Sequence, residues 1–452
     1  MSVQWTALLV AALTISGTLA AEQPLTLSRA TCTALSNSRA VSAADASARA
    51  ATARARQARA HRLPQVDVSE VYYRTDSPAE SFALQLNQER FDMQAFFGSD
   101  PNDPDPLTTW ISRLEVVQPV YTGGKLSARI SQASLASDAE ELGRRHTLEE
   151  VTFETVTAYT NLAKAREYLG LLEKARETTA EHVALAENYA AEGLIVEAEV
   201  LKARVYLAKM DELVEQARSG AELASAALNF HMGLPQSTPH ELAPVPPPPP
   251  VDGDVEEWIQ RALEARRDLG AARRKLEAGR LEVKAATAAY RPEVALIGRY
   301  EWYDDVAFGS HGKSTTLMGV ARINLFRGGA DKAARAAARH QASAWESNVE
   351  RFEQGITLQV RQAWQELGTA RARRQTALAA LAAAEESLRV REERFRQGLD
   401  KMIDLLDAET QLREASVREL VARYDTALAT YRLLYASGRS LIEAEQLSED
   451  CR

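Results

Sequence analysis

Two hydrophobic patterns share this chain. Long stretches dense in Ala, Leu, Arg and Glu, free of Pro and nearly free of Gly, read as helices. Four short stretches carry β-branched and aromatic residues and read as strands. Residues about 24–62 have the helical composition, and Leu63-Pro64 ends it, because a residue before proline is pushed out of the helical region. A strand follows at about 64–75, with Val66, Val68, Val71, Tyr72 and Tyr73. The polar stretch after it, with Phe91, Phe96 and Phe97 and the run Asp100-Pro101-Asn102-Asp103-Pro104-Asp105-Pro106, reads as a loop. A second strand at about 108–120 sets Trp110, Leu114 and Val116 against Ile111 and Val117, and Thr122-Gly123-Gly124 breaks it. From Lys125 to about Tyr189 only Gly143 and Gly170 interrupt the helical composition, which predicts a rod of roughly 100 Å. Gly193 ends the rod, another helix runs to about Phe230, and Pro244 to Pro250 reads as an extended linker.

The whole pattern then recurs. A helix at about 254–290 leads to strands at about 292–303 and 315–326, then to Arg327-Gly328-Gly329, a helix at about 331–396, Gly398 and a last helix to about Tyr435. At an offset of 228, Ala34/Ala262, Leu35/Leu263, Arg39/Arg267, Pro64/Pro292 and Val66/Val294 coincide. At an offset of 205, Gly123/Gly328, Gly124/Gly329, Gly193/Gly398, Leu194/Leu399 and Gly233/Gly438 coincide. The 23-residue difference falls in the first hairpin loop. This is an internal duplication. The expected division is a signal peptide at 1–21, a first repeat at 22–243, a Pro-rich linker at 244–252, a second repeat at 253–445 and a tail at 446–452.

The strands have the length that crosses a bilayer at a tilt. In the third, Val294, Leu296, Gly298, Tyr300 and Trp302 alternate with Ala295, Ile297, Arg299 and Glu301; in the fourth, Leu317, Gly319, Ala321, Ile323 and Leu325 alternate with Met318, Val320, Arg322 and Asn324. One face is apolar throughout and the other turns polar toward one end. Tyr72, Tyr73, Trp110, Tyr300, Trp302 and Tyr303 gather at strand ends, as an interfacial aromatic girdle would. The competing reading is a small water-soluble sheet covered by helices. If the strands span a membrane, four cannot close a barrel, and an open edge is not tolerated in lipid, so chains must share one. Three chains give twelve strands.

Composition narrows the chemistry. The 452 residues carry 63 acidic and 54 basic side chains, a net charge of −9 spread in both signs, which argues against nucleic acid as partner. Seven scattered histidines and two cysteines, Cys32 and Cys451, form no metal motif and no CxxC, so neither metal nor cofactor is expected. Ala307 to Ser314 fits a relaxed phosphate-loop pattern, but it lies between two strands rather than before a helix. Nothing suggests catalysis. Thr6 to Ala20 reads as an export signal cleaved after Ala20 or Ala21, although Met1 to Trp5 has no Lys or Arg; a buried first helix is the alternative.

The chain resembles the TolC-like outer membrane factor family. The resemblance is carried by the duplication, by Gln118-Pro119-Val120-Tyr121-Thr122-Gly123-Gly124 and Asn324-Leu325-Phe326-Arg327-Gly328-Gly329, by Gly193-Leu194 and Gly398-Leu399, and by Ile403-Asp404-Leu405-Leu406-Asp407-Ala408. It implies a mainly α chain with a membrane β-barrel. A homotrimer would form a twelve-stranded barrel in the outer membrane of a Gram-negative bacterium, continued by a long α-helical tunnel in the periplasm. The implied function is the passive exit duct of a tripartite efflux pump. Its partners would be a periplasmic adaptor (membrane fusion protein), an inner-membrane RND, ABC or MFS transporter, and outer membrane lipid. A type I secretion duct and, in a different class, an exported coiled-coil scaffold are the alternatives, and the sequence names no cargo.

The resemblance also assigns residues. Asp404 and Asp407 match the aspartates that ring the family's periplasmic mouth, and Glu199 matches Asp404 in the first repeat. Asp400, Asp404 and Asp407 follow i, i+4, i+7 spacing, so a solvent-facing stripe is the plain alternative, with Asp400 a helix cap. Gly193, Leu194, Gly398 and Leu399 mark the helix tips where the adaptor would dock, and Gly123, Gly124, Gly328 and Gly329 the strand-to-helix turns. The family's closed state can be tied by a Tyr three before the tip glycine and an Arg two after it. Here those positions are Phe395 and Asp400, and Arg394, Arg396 or Lys401 against Glu197 or Glu199 are the candidate substitutes. Cys32 and Cys451, at the two chain ends, are candidates to oxidise after export.

Overall fold

The structure, a computed structural model, describes residues 24–98 and 100–441; the segment 1–21, Cys451 and the tail 446–452 lie outside the described residues. The chain runs α1 (Leu27–Asn37), α2 (Arg39–Ala60), β1 (Gln65–Thr75), α3 (Pro78–Asn87), α4 (Met93–Gly98), β2 (Leu107–Thr122), α5 (Lys125–Ala191) and α6 (Glu197–His231). The second half runs α7 (Val255–Ala265), α8 (Arg267–Thr287), β3 (Glu293–Asp304), β4 (Gly312–Arg322), α9 (Ala330–Arg396) and α10 (Met402–Ala436). Three expectations need correction. The helix expected over 24–62 breaks at Ser38, whose backbone is extended at ψ 126° and whose hydroxyl accepts the Val41 N–H at 3.4 Å. Its repeat equivalent, Arg266, breaks the later helix at ψ 123°. Neither break carries Gly or Pro; at Ser38 a capping side chain supplies the stop. Second, the expected loop after β1 holds α3 and α4. Third, β4 ends at Arg322 rather than Phe326, because it pairs only with β3, whose first residue Glu293 lies opposite Arg322.

The four strands form one antiparallel sheet in the order β1-β2-β3-β4. The register places Val66, Val68, Tyr72, Trp110, Leu114, Val116, Leu296, Tyr300, Trp302 and Leu317 on one face. Many of these are exposed, Leu317 by 81% and Val68 by 77%, so a large apolar surface lacks cover within the chain. The opposite face carries a charge ladder: Arg113 donates to Glu301 at 2.7 Å and Arg299 pairs with Glu115 at 2.7 Å. The aromatic girdle is narrower than expected. Tyr72 and Trp110 meet edge to face at 5.1 Å on the apolar side, as do Tyr300 and Trp302 at 4.6 Å. Tyr73 and Tyr303 lie on the charged side, donating to Glu80 and Glu301.

α3 and α4 fold over the far end of this sheet. Phe82, Phe91 and Phe96 form their own small apolar cluster, with ring centres 5.3 to 5.4 Å apart. The buried Gln88 amide donates to Thr109 Oγ1 at 2.8 Å, and Arg90 reaches across to Asp304 at 3.0 Å and Asp305 at 2.5 Å. The backbone of the insert comes so close to β4 that a Cβ at Gly312 would lie 1.8 Å from the Asn87 carbonyl oxygen.

At the other end of the sheet the chain turns into the rods. Gly124 and Gly329 cap α5 and α9 with φ of 90° and 85°, and Gly123 and Gly328 precede them at 64° and 59°. All four therefore occupy left-handed conformations that a side chain would strain. α5 and α9, 67 residues each, are roughly 100 Å long. α6 packs along α5, α10 along α9, and the shorter α2 and α8 continue the pairing toward the sheet. The main core forms a belt midway along the rods, around Tyr159, Leu228, Trp258, Ile356, Leu367 and Tyr431. Tyr159 is pinned there by the carbonyls of Leu25 and Ala243, each 2.7 Å from its hydroxyl, so the start of the first repeat and the linker after it meet on α5. Burial pushes the Tyr159 phenol up to about 12.

Cys32 on α1 is disulfide-bonded. The unreduced, denatured chain should therefore take up no thiol-alkylating reagent, and two equivalents after reduction. Intact mass with and without reductant checks this; uptake by the unreduced chain would overturn the bond.

Candidate functional site

The candidate site is the end of the rods farthest from the sheet, where α5 turns into α6 and α9 into α10. Both turns use one backbone solution. Gly193 and Gly398 take φ of 74° and 73°. Gly193 N donates to Ala190 O at 3.0 Å and Leu194 N to Tyr189 O at 2.8 Å, while Gly398 N donates to Phe395 O at 2.9 Å and Leu399 N to Arg394 O at 2.9 Å. This pairing closes a helix C-terminus through a left-handed glycine. It leaves Leu194 and Leu399 exposed by 65% and 62%, a leucine at each tip, and Val196 is exposed beside the first.

A second core cluster holds the two hairpins together just above the tips. Val183 and Ala186 of α5, Val200 and Ala203 of α6, Phe395 of α9 and Met402, Leu405 and Leu406 of α10 are all buried in it. Phe395, where the resemblance would have a tyrosine, contributes a ring rather than a hydroxyl, 6.1 Å from Tyr189. The two hairpins are also joined by polar contacts. Tyr206 of α6 donates to Asp407 of α10 at 3.0 Å. His182 of α5 contacts Glu409 of α10 through Nε2, with only 17% and 13% of the two side chains exposed. The Glu409 carboxylate holds the imidazole pKa above its ordinary value, against desolvation, and Glu392 and Glu181 add to the pull.

The expected gate residues divide. Asp407 is exposed and engaged with Tyr206. Asp404 is half-buried and caps its own helix, its Oδ2 accepting the Lys401 N–H at 3.3 Å. Glu199 pairs with Lys202 at 3.1 Å, and its other carboxylate oxygen is buried with no partner. Asp400 is not the cap of α10: the cap is Lys401, and α10 begins at Met402. The three-aspartate stripe therefore reduces to Asp404 and Asp407. Asp400 is instead 5% exposed and held by Arg391 at 3.0 Å and Arg394 at 2.9 Å. The substitute lock expected between the hairpins is not made as drawn, because Arg394 is engaged with Asp400, Arg396 with Glu392 and Glu393, and Glu199 with Lys202.

Sequence reading missed His182 and Glu409, yet the duplication carried a signal. At the offset of 205, Glu392 and Glu409 correspond to Glu187 and Arg204, which form a salt bridge at 2.6 Å in the first hairpin. In the second hairpin the same two places are both acidic, and His182 from the other hairpin lies against one of them.

Among the described residues no His, Cys, Asp and Glu group is arranged to hold a metal, and no helix is long and apolar enough to cross a membrane. A family model described as outer membrane efflux protein matches residues 32–234 and 258–439. Protein CyaE of Bordetella pertussis is 26% identical over 340 residues, covering 73% of this chain and 71% of that protein. Outer membrane efflux protein BepC of Brucella suis is 23% identical over 345 residues, covering 76% and 75%. The solved outer membrane protein VceC of Vibrio cholerae superposes with a TM-score of 0.76 at 19% identity, covering 91% of this chain and 96% of that one.

The His182–Glu409 contact has a defined pH sense. A histidine whose pKa is raised on folding stabilises the fold fully below its ordinary value of 6.5 and loses that contribution as pH rises through the raised value. Replacing His182 by Gln should cost about 1.5–3 kcal/mol at the acid end, the range for a hydrogen bond to a charged group. Thermal midpoints of both proteins from about pH 5.5 to about pH 9 should differ most at low pH and converge as it rises; a gap that widens with pH would contradict the assignment.

Proposed function

The chain belongs to the outer membrane efflux protein family, and from that membership we propose that it forms, as a homotrimer, the channel-tunnel of a tripartite pump. The family is one of ducts and not of enzymes. The protein resides in the outer membrane and reaches into the periplasm. A periplasmic adaptor docks at the tips marked by Gly193-Leu194 and Gly398-Leu399 and an inner-membrane transporter delivers the cargo.

The observation that carries this reading is the sheet. One face is mainly apolar and uncovered, with Glu70 and Lys313 level with Trp302 toward the loop end, the other carries a ladder of Arg–Glu pairs, and the outer strands β1 and β4 each have a neighbour on one side only. An apolar outside, a charged inside and two open edges are what one third of a shared barrel requires. Detergent-extracted protein from the outer membrane fraction should have the mass of three chains. A water-soluble periplasmic monomer would overturn the proposal and favour an exported scaffold.

In such a trimer Asp404 and Asp407 bring six carboxylates toward one narrow mouth. At ~8 Å and an effective dielectric of ~20, each pair of like charges repels by about 2 kcal/mol, so the ring attracts cations. Asparagine at both positions removes the charge while keeping a side chain able to cap α10. The double variant Asp404→Asn, Asp407→Asn should remain trimeric and, in planar bilayers, lose cation selectivity and block by multivalent cations. Unchanged selectivity and block would show that the pair faces away from the pore.

A further inference from the structure

The two tips are equivalent by duplication and share one backbone, but their side chains close them by opposite chemistry. At the offset of 205, Arg391, Arg394 and Asp400 of the second tip correspond to Ala186, Tyr189 and Ile195 of the first. In the first tip Ala186 is fully buried, and Tyr189 and Ile195, partly buried, pack against the apolar cluster that holds it. In the second, Asp400 takes the place of Ile195 and is nearly as enclosed, with 5% of its side chain exposed. Its carboxylate accepts from Arg391 Nη1 through Oδ2 at 3.0 Å and from Arg394 Nε through Oδ1 at 2.9 Å. Each oxygen thus has its own guanidinium, and each guanidinium comes from the last two turns of α9. Desolvation works to raise the Asp400 pKa, but the two arginine hydrogen bonds outweigh it and hold the carboxyl below its ordinary value.

We propose that Asp400 is the positioning residue of the second tip, tying the Gly398-Leu399 turn back onto α9 through Arg391 and Arg394, so that the turn of this tip, unlike that of the first, is closed by a contact that salt screens. Three observations converge on it. The turn Gln397–Lys401 lies between two helices, and Gly398 has nothing within 4 Å of where a Cβ would sit, so packing does not fix it from that side. Asp400 is the carboxylate of that turn, and it folds back over nine residues to Arg391. The first tip reaches the same backbone with no charge at the corresponding position. Arg391 and Arg394 are about half exposed, at 44% and 50%, so salt reaches the triad from their side. The apolar closure around Ile195 offers salt nothing to screen.

The consequence for docking rests on the function proposed above. An adaptor meeting the ring of tips would find two kinds of seat, each presenting one exposed leucine. One seat has its turn closed by burial around Ile195, with the Glu187–Arg204 bridge lying above it. The other is held by a carboxylate between two arginines.

The test is hydrogen exchange of the assembled protein in detergent, read by mass spectrometry at the segments 396–402 and 191–197. Asp400→Asn keeps the shape and removes the charge. It should speed exchange at 396–402 roughly tenfold, the equivalent of losing a charge-assisted hydrogen bond, and leave 191–197 unchanged. In the wild type, about 1 M salt should speed exchange only at 396–402. The triple variant Arg391→Ala, Arg394→Tyr, Asp400→Ile installs the first tip's chemistry in the second. It should restore slow exchange and abolish the salt dependence. Equal exchange in wild type and Asp400→Asn, or a triple variant that stays fast, would overturn the proposal. Export in cells separates this from the docking reading. Loss in Asp400→Asn with recovery in the triple variant supports both. Unchanged export beside the expected exchange keeps the ionic closure and overturns docking at this tip.

Discussion

A strand edge in hydrocarbon leaves each unpaired N–H and C=O without water, at a cost of several kcal/mol per group. The rest of this molecule follows from that constraint. The described residues form four strands in one sheet, and its two outer ones are paired on one side. A barrel can be completed only by other copies. In the proposed trimer the rods of those copies would run side by side, since α5 and α9 leave the sheet directly through paired glycines. The same constraint explains the sidedness of the sheet. Lipid demands the apolar face. The lumen permits Arg113, Glu115, Arg299 and Glu301, and these pair across neighbouring strands instead of standing as isolated charges.

Duplication then supplies the architecture at low cost in new information, and divergence adds function. Equivalent positions keep their backbone and change their chemistry. Gly123 and Gly328 show the limit of that freedom. Both have positive φ, but a Cβ at Gly123 would also lie 2.8 Å from the Ala288 carbonyl, whereas Gly328 faces open space. The first is required by conformation and by contact, the second by conformation alone. Elsewhere the copies diverge fully. The bridge between Glu187 and Arg204 stays within one hairpin, while its counterpart positions Glu392 and Glu409 are both acidic and draw His182 from the other. An intra-hairpin contact has been exchanged for one that joins the hairpins.

What the sequence revealed follows the range of the interactions involved. The rods were legible because Gly123-Gly124 with Gly193, and Gly328-Gly329 with Gly398, bracket long stretches without Pro, and the strands because alternation is local. The breaks at Ser38 and Arg266 were not, since a capping hydroxyl and an arginine leave no compositional mark. The helices α3 and α4 were hidden in a polar segment, and their place is set by Gln88 and Arg90, which bond to β2 and to the turn after β3. Of the site, the tip glycines were readable from the repeat, and Asp404 and Asp407 were singled out by the resemblance. The partners were not. Tyr206 with Asp407 and His182 with Glu409 join residues about two hundred positions apart, and no spacing rule spans that distance. Asp400 was read as a cap because it stands near a helix start. Its two arginines lie on the preceding helix, and only the geometry of the turn brings them to it.

The tip carboxylates show how structural and electrostatic roles settle on the same residues. A helix start carries unsatisfied N–H groups and the positive end of the helix dipole, so it accepts acidic side chains at a gain of about 0.3–1 kcal/mol each. Asp404 uses this directly, closing the first turn of α10 onto the Lys401 N–H. Asp407, one turn further, lies beyond most of that benefit and is held by a phenol instead. In a threefold assembly the helix starts of three copies would converge with the carboxylates they carry. The dipoles would then offset part of the mutual repulsion while leaving the net field at the mouth negative. A ring of acids at such a mouth would need this support, and the start of α10 is the local feature that would supply it.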